Sequence, residues 1–105
     1  MGQFDVHPNP SRSTQADYPY IVDIQSPHLP ELATRIVIPL ARKAAFPSQA
    51  MKGLTPDVTF KGEDLLLVTP QIASLPVRVL PEPIGSLAHI RNQILSASDF
   101  AITGI

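Results

Sequence analysis

The chain has 105 residues, a formal net charge of −1 with 16% charged against 44% hydrophobic residues, and no cysteine. This length specifies one domain over residues 1–105 with interior enough for a core that needs no staple, and the missing thiols exclude disulfides and thiolate metal sites. A charged fraction well below the ~25% of ordinary soluble domains points to surface that a protein partner covers, and the near-neutral balance argues against direct nucleic-acid binding, which needs a basic face.

The first residues, MGQFDVHPNP, lack the basic and apolar regions of a secretion signal, and Val6 stands where a myristoylation pattern wants Ser or Thr. The expected location is the cytoplasm. No membrane span is expected either, since the longest apolar run, Leu65 to Val68, is far short of the ~20 residues required. Twelve prolines, the last of them Pro83, leave no room for a long helix before that point. The chain therefore reads as short strands bounded by Pro, Gly, Asn or Ser clusters: Gln3 to Val6, Tyr20 to Gln25, Thr34 to Ile38, Asp57 to Phe60, Asp64 to Thr69 and Pro76 to Leu80. In the last, Val77 and Val79 alternate with Arg78 as in a half-buried strand. Lys61 to Asp64 is a hairpin turn signal, with Gly62 free to take a positive φ. Ala41 to Pro56 reads as a long loop with one helical turn.

A helix is expected from Leu87 to Ile102, with Ser86 as its N-cap. At 100° per residue, Leu87, Ile90, Ile94, Ala97 and Ala101 fall within about 80° and form a core-facing stripe, opposite Asn92, Ser96, Asp99 and Thr103. No lysine or arginine follows Arg91. Asp99 therefore stands at the negative end of the helix dipole, an arrangement that costs a few tenths of a kcal/mol and suits contact rather than stability. The expected architecture is mainly β, a small twisted antiparallel sheet or barrel with a C-terminal helix packed on it.

Catalytic signals are weak. His7, His28 and His89 have no metal-ligand spacing, and no nucleophile elbow, phosphate-binding loop or dinucleotide motif occurs, so neither a metal nor a cofactor is expected. His89, Arg91 and Arg78 could form an acid/base and phosphate-clamping set for RNA cleavage, but the simpler reading makes His89 and Arg78 solvated. A DNA-binding regulator would need a basic recognition helix, which is absent. In Ser26 to Glu31, SPHLPE, two prolines make a rigid turn and hold Leu29 at a loop tip, ordered in advance for binding.

The segments VDIQS and RIVIPL, then IASLPVRVL, then a helix containing LAHIRNQI and ending in GI, resemble the CcdB family of toxin–antitoxin toxins. The likeness is strong over Tyr20 to Leu40 and Gln71 to Ile105 and thin over Ala41 to Thr69. It implies an SH3-like barrel, homodimeric, that is no enzyme, poisons DNA gyrase by gripping its A subunit, and is neutralised by the disordered segment of a CcdA-like antitoxin. MazF-like endoribonuclease toxins share this barrel, which keeps RNA cleavage as the alternative. Carried over from the family, the gyrase-binding residues are Asp99, Thr103, Gly104 and Ile105 at the helix end and His28 and Leu29 in the loop. Gly104 and Ile105 match the family pattern, which has tryptophan at Thr103, asparagine at Asp99 and isoleucine at His28. Losing an interface tryptophan can cost ~2 kcal/mol or more of binding.

Overall fold

A computed structural model describes residues 2–26, 33–45 and 55–104. Among the described residues, seven strands form one antiparallel sheet: β1 (Asp5–Pro8), β2 (Tyr20–Asp23), β3 (Thr34–Arg42), β4 (Asp57–Phe60), β5 (Glu63–Leu67), β6 (Ala73–Pro76) and β7 (Gly85–Ser86), followed by one α-helix, α1 (Arg91–Thr103). The spatial order is β4-β5-β3-β2-β1-β7, with β6 also on β3. The long β3 organises this layout because its two halves have different neighbours. Leu40 to Arg42 pair with β5, and Thr34 to Val37 pair with β6. The residue alternation then sets the faces. Val22 lies opposite Ile38, Leu40 opposite Leu67 and Val58 opposite Leu65, and these side chains form one core with Val6, Leu87 and Ile94.

The sheet curls until its two ends meet. Phe60 on β4 packs directly on Gly85 of β7, and a Cβ at position 85 would lie 2.6 Å from two ring carbons. Glycine is required there for close approach, not for its backbone angles. Tyr20 meets the same Phe60 ring edge-on at 5.2 Å between centroids, so an aromatic pair, rather than a hydrogen-bonded ladder, fills the seam of a half-barrel. Burial, and secondly the neighbouring Glu63 carboxylate, push the Tyr20 phenol up from its ordinary pKa.

The sequence expectations hold for the mainly β class with a C-terminal helix, and for β4 in full. The Lys61-Gly62 turn also forms as expected, with positive φ at both residues. Other expectations need correction, among them β2, which ends at Asp23 and not at Gln25, whose N–H turns back to the Asp23 carboxylate. The first strand begins at Asp5, not Gln3, because buried Phe4 has φ 70° and turns the chain just before it. The fifth ends at Leu67, since Thr69–Gln71 form a 3-10 turn around Pro70. Val77–Val79 are a 3-10 turn and not a strand: the Val77 N–H reaches back to the Ala33 carbonyl at 2.8 Å, the Leu80 N–H closes on the Val77 carbonyl at 3.1 Å, and the strand itself is the preceding Ala73–Pro76. The helix proper starts at Arg91 after a 3-10 turn over Ala88–Ile90, and Ser86 is the N-cap of neither: Leu87 and Ile90 hold those positions without side-chain caps, while Ser86 Oγ accepts the Ala88 N–H at 3.1 Å just ahead of the turn. Within Ala41 to Pro56, β3 runs on to Arg42 and Lys43–Ala45 form a 3-10 turn.

Candidate partner-binding site

The helix stripe does what its period requires. Leu87, Ile94 and Ala97 are buried, Ile90 and Ala101 half-buried, and Asn92, Ser96, Asp99 and Thr103 exposed. Ser98 also lies on the buried side, its hydroxyl satisfied by donating to the Ile94 carbonyl at 2.8 Å. The helix then ends without outside help. Gly104 takes φ 75°, and its N–H donates to the Phe100 carbonyl at 2.9 Å, a left-handed glycine cap. The Thr103 hydroxyl donates to the Asp99 carbonyl at 2.6 Å, so its proton is spent within the helix.

Asp99, Thr103 and Gly104 therefore come together on the last turn, all exposed. Sequence reasoning missed their apolar surroundings. Leu95 (41% exposed) and Ile102 (68%) stand seven residues apart on one shoulder of the helix, and Phe100 (41%) stands on the other. The signal was present in the wheel, since Leu95, Phe100 and Ile102 are large apolar residues outside the core-facing arc. All three are exposed on the last turns of the helix. His28, Leu29 and Ile105 lie outside the described residues.

The residues of the RNA-cleavage alternative are not brought into a constellation. Arg78 and His89 sit in separate 3-10 turns, Arg91 opens α1, all three are exposed, and no hydrogen bond or ion pair among the described residues joins them. A groove of about 200 Å³ on the outer face of the sheet is lined by apolar and uncharged polar side chains, including Ile21, Val37, Leu75, Tyr18 and Gln71. No carboxylate, histidine or basic group lines it, so it offers no acid/base pair for turnover. Among the described residues no cluster of histidine and carboxylate ligands gathers for a metal, and no helix is long and apolar enough to cross a membrane.

Comparison with known families places the chain. The family model described as CcdB protein matches residues 3–104, nearly the whole chain. The chain belongs to the CcdB family. CcdB proteins are the toxins of toxin–antitoxin systems. The match runs through both the β2–β3 connection and the end of α1, the two places where the family likeness puts the expected contact residues. It also spans Ala41 to Thr69, where the motif likeness is thin.

Proposed function

We propose that this CcdB-family toxin acts on the A subunit of DNA gyrase and traps the complex in which DNA is cleaved. It works as a homodimer in the cytoplasm, without catalysis of its own, until a CcdA-like antitoxin binds it. The observation that carries this reading is the end of α1. Leu95, Phe100 and Ile102 are exposed around Asp99 and Thr103, while the helix anchors itself through Ile94, Ala97 and Ser98 on the other side. A protein that cleaved its target would instead concentrate titratable groups in a cleft. The contact residues of the reading are Asp99, Thr103, Gly104 and Ile105 on the helix, with His28 and Leu29 from the loop.

Deleting Thr103 to Ile105 tests it. The deletion removes no residue of the core cluster, so the thermal transition stays near that of the parent while binding to the purified gyrase A subunit and toxicity in cells are lost. A deletion that remains fully toxic would exclude the helix end as the contact surface. Incubation of the intact protein with RNA should give no fragments. Sedimentation at tens of micromolar should give a dimer, as we expect from the low charge and from the family likeness.

A further inference from the structure

β6 lies at an edge of the sheet, paired with β3 and with no other described strand. The ladder between the two decides which way its backbone faces, because antiparallel partners alternate between pairs that exchange hydrogen bonds and pairs that do not. Val77 donates to the Ala33 carbonyl at 2.8 Å, so Leu75 with Arg35 and Ala73 with Val37 are the exchanging pairs. Ile36, which lies opposite Ser74, turns its backbone the other way, toward β2: its carbonyl accepts the Ile24 N–H at 2.9 Å and its N–H goes to the Gln25 side chain. The N–H and C=O of Ser74 therefore face away from β3 into the open edge. Beside them is the carbonyl of Pro76, which has no N–H to offer.

Monomeric proteins blunt such an edge with charge, with proline or with a cover. Here Gln71 to Val77, QIASLPV, carries no charge, and Pro76 guards one end only. Ala73 and Ser74 are exposed, and apolar area flanks them on both faces of the sheet. Ala73 and Leu75 line the outer groove, while Ile36, on the inner face opposite Ser74, is 40% exposed. One open donor and one open acceptor on a single residue are matched by the same residue of a second copy across a two-fold axis. In that register Ile72 falls opposite Pro76 of the partner subunit. Neither brings an N–H that pairing would bury unmatched, since that of Ile72 is bonded to the Thr69 carbonyl at 3.1 Å and proline has none. Resting on the homodimer of the gyrase reading, we propose that its two copies meet at this edge, β6 pairing with β6 of the partner subunit about a two-fold axis at Ser74. An isologous contact of this kind closes at two copies.

The chain has no cysteine, so a single one reports on its own position. Directly opposed residues of an exchanging antiparallel pair have Cα atoms ~5.5 Å apart, within the ~4.4–6.8 Å span of a disulfide. Ser74→Cys is therefore expected to give a covalent dimer on mild oxidation, read on a non-reducing gel. Thr59→Cys, exposed on the other edge strand β4, should stay uncoupled. Ser74→Pro removes an N–H that β3 does not use, so circular dichroism should be unchanged while sedimentation shows the dimer dissociation constant raised about a hundredfold, roughly tenfold for each of two lost hydrogen bonds. Should Ser74→Pro fail to fold, the cross-link decides alone. A parent protein that sediments as a monomer would overturn the homodimer and this edge with it. A parent dimer whose Ser74→Cys variant couples no faster than Thr59→Cys, or which a folded Ser74→Pro leaves intact, would overturn the edge and leave the homodimer standing. No measurement here uses gyrase, so a failure to bind gyrase leaves each of these outcomes readable.

Discussion

The ends of β2 and β3 that flank their connection, and the end of α1, lead into the two halves of one proposed contact surface, and they are held by different means. At these stems, the Asp23 carboxylate, the Arg35 guanidinium and the Gln25 amide are withdrawn from water and satisfied by one another and by backbone N–H groups. At the helix end, the last turn closes on its own carbonyls, through Gly104 and the Thr103 hydroxyl, and its large side chains stand in solvent. The difference teaches where substitution is free. Side chains at the helix end can change with the partner while the fold stays unaware, whereas at the stems the fold itself rests on these three residues.

The largest effect that sharpens this contrast is expected from Asp23→Ala. It leaves the Arg35 guanidinium buried without its carboxylate, and breaking a buried pair from one side costs ~3–5 kcal/mol. Equilibrium unfolding in urea measures it, and a loss below about 1 kcal/mol would show that the stems are no more committed than the helix end. Next comes Gly85→Ala at the seam of the half-barrel, where the new methyl meets the Phe60 ring. Overpacking of this kind costs ~1–3 kcal/mol, and the same measurement should show it. Gly104→Ala follows, at roughly 1 kcal/mol, because position 104 keeps a left-handed conformation that a Cβ disfavours. Here the helix end does have a backbone requirement, and the loss should appear as fraying of the last turn in amide exchange while the core amides stay protected.

What was legible in the sequence follows the same division. Period 3.6 in the helix and the Lys61-Gly62 turn before β5 are local signals, and they gave the helix stripe and the β4–β5 hairpin, though β5 spans Glu63–Leu67 and not Asp64 to Thr69. The apolar runs placed β2 and β3. Signals that depend on tertiary pairing did not come through. Ala73–Pro76 contains no β-branched residue, and it is a strand because β3 lies beside it, whereas Val77–Val79 has strand composition and turns away once the Val77 N–H is taken by Ala33. The Asp23–Arg35 pair is hidden for the same reason. Asp23 lies opposite Val37, so Arg35 becomes its diagonal neighbour on the same face only in this register. Of the contact surface, the exposed positions on the helix were readable from the wheel. The identities carried over for Asp99 and Thr103 came from the family likeness alone.

The smallest expected change in stability accompanies the largest expected gain in binding, and both arise at Thr103. Replacing it with tryptophan removes one hydroxyl bond to the Asp99 carbonyl, on an exposed turn where water can serve that carbonyl instead. Threonine and tryptophan have similar helix propensities, and surface substitutions of this kind stay within about 0.5 kcal/mol, so the thermal transition should barely move. Binding is another matter. The threonine offers a partner little apolar area, while a tryptophan can bury up to ~200 Å² and stack on an arginine of the target, flanked by the exposed Ile102 and Phe100. An anchor of that kind is worth ~2 kcal/mol, about thirtyfold in affinity. Calorimetry of the parent and of Thr103→Trp against the gyrase A subunit should show that gain, with higher toxicity in cells alongside. A Thr103→Trp protein that melts with the parent and binds gyrase no better would mean that this face of the helix meets no partner there, and the contrast between a committed stem and a free helix end would lose its functional meaning.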